Sequence, residues 1–483
     1  MTLSNRLTQR WDLWVIILLG LYFIGRLFYF AFTVGPGVPP DEITHISIAR
    51  LYAETLLGIE DSLASFQHNL VTHVPYLYYF VMGKLAAVVG DDYITLRVLN
   101  IGLSLALLIA AYRLSMLVLQ RPLARVLFFV MLTNTLMFGF LSASVNYDNL
   151  TNLLAVLAVY FLVRYFRTDD PAHLLSFVIS TGLGLLTKGA FLMLAPLFGL
   201  VWLLSRWSSF RVDMQRLALD ARGGRRRILV LLAGVVICVV ANLSLYGVNL
   251  VSYGKIVPGC TQVLTHEQCM ENRINARNWV VSQYRLGKLS YMDAWRATAQ
   301  IKHPGDIAHA QRLLENERRV KLSKPEPLNV LDYMHLVWVQ AMKPSMFGIM
   351  AHQSMLRTPN ELWSYGVIFF VALLLLARNL RLDGSDAIWL GLAVVVFGYY
   401  ALLVGYYNYT GYLHTNAPLL GVQGRYLFHV LVPAYLLMAE FILRPFPKWG
   451  QIVMALLVCG VFIAGDFPYY LNHVSDVWAR AIS

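Results

Sequence analysis

Eleven stretches of this chain are apolar over roughly the length of a bilayer crossing: 13–33, 94–118, 122–141, 149–166, 173–187, 190–205, 228–250, 362–378, 387–405, 426–443 and 449–465. A spanning helix needs about 20 such residues. Backbone inside lipid must satisfy its own hydrogen bonds, which in a chain patterned this way leaves only helices. The expected fold is an all-α polytopic membrane protein: about 11 transmembrane helices, outer juxtamembrane helices and one large extracytoplasmic loop. Composition agrees, with 58% hydrophobic and 14% charged residues, where a soluble chain carries about a quarter charged.

A further apolar stretch, 74–89, holds Lys84 and decides the topology. If it does not cross, the short loops with Arg121 and Arg125, Arg164 and Arg167, Arg206 to Arg227, Arg378 and Arg381, and Arg444 and Lys448 share a side with Arg6 and Arg10. If it crosses, all of them move outside. The positive-inside rule selects the first arrangement, with the N-terminus inside and 74–89 juxtamembrane or re-entrant. The net charge of +12 is then used for orientation, not nucleic acid, because the Arg clusters flank apolar segments. The first apolar stretch is followed by no small-residue cleavage site and reads as a retained anchor. Three regions are expected: 1–250, a transmembrane core with a first outer loop 34–93; 251–361, an extracytoplasmic region; and 362–483, a C-terminal bundle with an outer tail. In the middle region, Pro304-Gly305-Asp306 opens an amphipathic helix to about Lys321, and 333–355 is expected on the membrane surface. Cys260 and Cys269 lie in an outer polar loop, where they can form a disulfide. His266 between them completes no zinc spacing.

With this topology one face collects most of the chemistry-bearing residues. The first outer loop, GPGVPPDEITH at 35–45, brings Asp41, Glu42 and His45. Its end brings His73 and the run Pro75-Tyr76-Leu77-Tyr78-Tyr79. The turn SVNYDN brings Asn146 and Asp148, the turn LTKG brings Lys188, and the last large outer loop brings His414, Gln423, Arg425 and Tyr426. Acids beside cations at headgroup depth suit a phosphate-bearing lipid: the cations hold the phosphate and a carboxylate takes a proton. Taken singly, each residue has a plainer reading. Asp41 and Asp148 cap helices, Lys188 snorkels, Arg425 anchors a span, the tyrosines belong to an interfacial belt, and the histidines are structural. Neither a Walker loop nor GxSxG in its structural context occurs, which argues against nucleotide-driven chemistry.

The elements PPDE-xx-H, P-x-LYY, SASVN-x-D, LTKG and QGRY, in that order, resemble those of bacterial GT-C membrane glycosyltransferases. The resemblance is to a multi-pass cell-envelope family carrying PPDE-xx-H and QGRY and, more distantly, to protein O-mannosyltransferases and lipid A aminoarabinose transferases. It covers about 10–205 and 400–440. It implies a GT-C-like bundle and transfer of a sugar from a polyprenyl-phosphate donor to an extracytoplasmic acceptor: a cell-envelope glycan or polysaccharide, a lipid or a protein. It implies a bacterial inner membrane with a periplasmic active site. Asp41 would be the general base with Glu42 beside it, Asp148 the turn acid, and Lys188 and Arg425 the phosphate cations. The aminoarabinose transferases have Glu-Lys where this chain has His73-Val74. Some relatives require a divalent metal, so Mg²⁺ or Mn²⁺ on Asp41, Glu42 and Asp148 is a further expectation.

The chemistry then reads as one displacement with inversion, since a single base and no enzyme-bound sugar are involved. A transporter or flippase of polyprenyl-linked glycans is the competing class, with a non-catalytic scaffold behind it. Against a transporter stand the one-sided polar set and the lack of an inverted repeat.

Overall fold

The computed structural model describes residues 11–302, 304–323, 326–349, 362–382, 384–474 and 476–478. Arg6, Arg10 and the end of the expected surface segment, 350–355, lie outside them. The described residues form an all-α polytopic membrane protein without strands.

The bundle runs α1 (Trp11–Thr33), then two helices of the first loop, α2 (Glu42–Ala53) and α3 (Leu77–Val89). It continues through α4 (Tyr93–Val118), α5 (Pro122–Thr133), α6 (Leu136–Ser142), α7 (Asp148–Thr168), α8 (Pro171–Thr187), α9 (Phe191–Arg206) and α10 (Arg226–Asn242). Outside the bundle lie α11 (Arg273–Arg285) and α12 (Pro304–Ser323). The chain closes with α13 (Val339–Phe347), α14 (Trp363–Asn379), α15 (Ala387–Ala401), α16 (Leu431–Leu443) and α17 (Lys448–Ala464).

All eleven expected spans are helices, but they are not alike. Eight meet the length and apolarity of a crossing, and α5 with α6 makes a ninth as a pair bent by 66°. The remaining two, α8 and α14, are apolar but have 17 residues each, about 26 Å of helix and shorter than a typical hydrocarbon core. Outward-facing Leu18 and Leu21 on α1 stay 65% and 60% exposed, as a lipid-facing surface requires.

The break between α5 and α6 has a local cause. Asn134 and Thr135 turn their side chains back onto the carbonyls of Val130 and Met131, offering the backbone an alternative to continuing the helix. Arg26 of α1 donates to the carbonyl of Thr133 and pairs with Asp466. This buried cation thus caps the freed helix end, and Asp466 balances its charge.

One arginine settles the path of 34–92. Arg97, near the start of α4, donates to the carbonyls of Ala31 at 2.8 Å and Val34 at 2.7 Å, at the end of α1. The first loop therefore leaves and returns at the same end of the bundle, and α3 does not cross. Instead α3 lies on α2, where Gly83 lets the backbones touch: a Cβ there would stand 2.5 Å from the carbonyl of Ala49. Basic residues gather at the opposite end. Arg125 pairs with Asp12, Arg121 with Glu440, Arg206 with Asp169 and Arg444 with Asp386.

In the outer region, the amphipathic helix appears as α12, packed on α11 through Arg285 and Glu317 at 2.9 Å. Cys260 and Cys269 form a disulfide. Asn272 and Asn275 hold this layer to the first loop through Gln67 and Asn69. The segment from 333 does not stay on the surface. Tyr333, Trp338, Met346 and Phe347 are buried in the main core, and the 339–347 helix packs beside α6 and the Gly424–Val430 segment that precedes α16.

Candidate active site

Six helix ends converge here: the C-termini of α1 and α8 and the N-termini of α2, α4, α7 and α16. The end of α1 supplies backbone carbonyls, and the others supply polar side chains that could not be left unpaired in so dry a place.

The two adjacent carboxylates have opposite surroundings. Glu42 is buried and held by Arg97, Nε to Oε1 at 2.8 Å and Nη2 to Oε2 at 2.6 Å. It also accepts the backbone N–H of Val145 at 3.0 Å. Its lone pairs are committed, so Glu42 ties α2, α4 and the 142–147 turn together rather than facing a substrate. Asp41 keeps 39% of its side chain exposed and accepts Nη2 of Arg425 at 2.6 Å. Asp41 stands before α2, but its side chain makes no cap bond, and its backbone is left-handed at φ 62°. Pro39 and Pro40 precede it, and only the carbonyl of Asp41 serves the helix, accepting His45 N–H at 3.0 Å.

Asp148 begins α7 without capping it and pairs with Lys188, which follows α8. Lys188 Nζ lies 4.5 Å from the ring centre of Tyr147 and 4.9 Å from that of Tyr426, good cation–π geometry. His429 stands on the other side of Asp148, with Nε2 3.7 Å from Oδ1. Its Nδ1 lies 2.9 Å from the Tyr426 carbonyl and 3.2 Å from Tyr399 Oη. His45 Nδ1 meets Tyr79 Oη at 2.8 Å, and its ring meets Tyr147 edge-on at 4.6 Å. Burial, more than any neighbouring charge, pushes the His45 pKa down to about 4, so this imidazole is neutral near pH 7.

Thirteen buried side-chain atoms lack a partner among the described residues. Five of them fall in this cluster: Arg425 Nε and Nη1, Asp148 Oδ2, His45 Nε2 and His429 Nε2. Orphaned polar atoms gathered in one place mark where a polar ligand would repay their desolvation. Two donors sit on one guanidinium, the planar group suited to phosphate.

The other expected residues either brace this centre or lie away from it. Tyr78 donates to Asn100 at 3.0 Å, and Asn146 accepts the Asp148 N–H at 2.9 Å, so both brace the turn. His73 faces Asn249 at 3.3 Å. His414 is exposed, and its carbonyl faces Arg285. Gln423 precedes the Gly424–Val430 turn through its backbone, accepting Tyr426 N–H. Sequence reasoning missed Arg97, Asn100, Tyr147, Tyr399 and His429. Arg97, four residues into α4, and His429, four past Arg425, each lay inside an assigned span. A charged or imidazole group within a span was the signal that could have found them.

The three carboxylates expected to hold a divalent ion are instead paired with cations in this structure. Each is taken by its own cation, and no group of three His, Cys, Asp or Glu close enough to share a metal occurs among the described residues.

Fold and site together define a class: polytopic helical membrane proteins with a buried cluster of paired acids and cations at one end of the bundle. Residues 73–219 match the sequence model of the dolichyl-phosphate-mannose-protein mannosyltransferases. That match supports a membrane glycosyltransferase that uses a polyprenyl-phosphate sugar donor. The matched stretch contains Asp148 and Lys188 and stops short of Asp41 and Arg425 at either side. No curated protein matches the chain.

Proposed function

We propose that this protein transfers a sugar from a polyprenyl-phosphate carrier to an acceptor hydroxyl, in a single inverting displacement with Asp41 as general base. The observation that carries this reading is the contact between Asp41 and Arg425. It sets the most accessible carboxylate of the cluster beside a guanidinium two of whose nitrogens have no hydrogen-bond partner among the described residues. Arg425, with Lys188 behind it, supplies positive charge for the phosphate, which leaves well only when its charge is held. Asp41 accepts the hydroxyl proton as the acceptor attacks. Glu42 positions Asp41 through the backbone they share.

The reading extends to the setting. Arginine-rich ends face the cytoplasm, the catalytic end faces the periplasm of a bacterial inner membrane, and the acceptor is a cell-envelope glycan, lipid or protein. The outer layer of α11 and α12 encloses a cavity of about 750 Å³ against the 415–420 loop. That loop leads directly to Arg425, and we assign acceptor choice to this region.

The test is release of free polyprenyl phosphate from a panel of polyprenyl-phosphate sugars by purified protein, with and without EDTA, supplied with an envelope extract. Wild type should release it, and Asp41→Asn should be slower by about 10²–10⁴-fold, the usual worth of a general base. An Asp41→Asn protein of unchanged rate would sink the assignment. No release from any donor would favour transport instead.

A further inference from the structure

The cluster contains two anions, Asp41 and Asp148, and two cations, Lys188 and Arg425; Lys188 pairs with Asp148 and Arg425 with Asp41. Lys188 and Asp148 are enclosed, with 8% and 0% of their side chains exposed. Asp41 and Arg425 differ. Arg425 is 4% exposed and Asp41 is 39% exposed, so one partner sits in the dry interior and the other reaches the opening. The guanidinium spends Nη2 on Asp41 and leaves Nε and Nη1 unclaimed among the described residues. The backbone next to it is anchored: Gly424 N–H donates to Ser345 Oγ at 2.8 Å, and a Cβ on Gly424 would stand 2.6 Å from the backbone of Ser345 and Met346.

We propose that Arg425 is shared between base and leaving group, and that protonation of Asp41 hands its charge over to the departing phosphate. This rests on the reading of the site given above. In the resting pocket Asp41 claims part of the guanidinium charge. As the acceptor oxygen bonds to the anomeric carbon, its proton passes to an Asp41 oxygen and Asp41 becomes neutral. The bond from the anomeric carbon to the phosphate oxygen breaks in the same step, and its electron pair stays on the phosphate, which gains one negative charge. The anionic charge lost at Asp41 thus reappears on the phosphate, and one buried guanidinium serves both. Little reorganisation is needed, which is the condition under which fixed charges favour a transition state most.

The consequence runs against intuition: Asp41→Asn, which imitates the protonated base, should bind the product more tightly while transferring sugar far more slowly. The experiment measures binding of undecaprenyl phosphate and of dolichyl phosphate to wild type, Asp41→Asn, Arg425→Gln and the double variant in lipid nanodiscs, with the phosphate-free polyprenol as control. Asp41→Asn should lower Kd by about tenfold, equivalent to about 1.4 kcal/mol, and that gain should vanish in the double variant. If Arg425→Gln does not fold, Arg425→Lys takes its place, since a single ammonium lacks the fork that reaches two partners. Unchanged or weaker binding by Asp41→Asn, with wild type binding normally, would overturn the handover and leave the glycosyltransferase reading intact. A gain that persists without the Arg425 guanidinium would also overturn it, assigning the effect to overall charge. Binding no stronger than to the polyprenol, in every protein, would overturn both.

Discussion

Arg97 and Glu42 form a two-pronged ion pair at 2.8 and 2.6 Å, with both side chains essentially sealed from solvent. The same guanidinium holds the carbonyl ends of α1, so a single side chain fixes the exit of the first span, the loop acid and the start of α4. Removing one partner strands a buried charge, which costs about 3–5 kcal/mol. Arg97→Ala and Glu42→Ala should both lose thermal stability in detergent, and the double variant should lose less than the sum. Independent, additive losses would mean that the two do not act as a pair.

His45 makes stability depend on pH. Its pKa falls from 6.5 to about 4 on folding, chiefly because burial disfavours the charged ring. The unfolded chain therefore binds a proton that the folded one refuses between those values. The contribution is fully present above about pH 6.5 and is lost as pH falls towards 4. Melting temperatures of wild type should drop across that window, and those of His45→Gln should drop less. Identical pH profiles would remove His45 from the explanation.

Arg26 and Asp466 are a second enclosed pair, placed where the bilayer core would punish an unpaired charge. Asp466→Ala should destabilise by several kcal/mol by the same reasoning as for Arg97. Arg26→Met combined with Asp466→Leu should recover much of the loss, although the Thr133 carbonyl would still lack its cap. No recovery would show that capping the broken helix outweighs charge balance. Unfolding in a denaturant series reads both.

Gly83 permits the contact between α2 and α3. Gly83→Ala puts a methyl 2.5 Å from the Ala49 carbonyl, so α3 must lift, at a cost of about 1–3 kcal/mol. Because Tyr79 travels with α3, transferase rate should fall together with stability. A variant as stable and as fast as wild type would contradict the close approach.

Most of the architecture was legible because lipid imposes one rule on every span. Length and apolarity gave the helices, and arginine placement predicted that 74–89 stays on one side. Two kinds of information were not legible. The α5–α6 break depends on Asn134, Thr135 and a distant Arg26, and nothing local in 122–141 announces that combination. The division of labour between Asp41 and Glu42 was equally hidden. Adjacent acids look alike in a sequence, and only the position of Arg97, 55 residues away, shows which one is committed to structure. Asp148 and Lys188 were found as separate turn residues, but their pairing became visible only once α7 and α8 lay side by side. The cation beside Asp41 was visible as a residue of QGRY, not as its partner across 384 positions.

The left-handed backbone at Asp41 carries a consequence for anyone choosing substitutions. Most side chains lose about 1–2 kcal/mol in that conformation, whereas asparagine and aspartate enter it readily. The acid can therefore be exchanged for its amide at nearly no conformational penalty, while glutamate is disfavoured before its reactivity is even tested. At this position the polypeptide supplies its own matched control: a carboxamide of the same shape, differing by a charge and a proton-accepting oxygen.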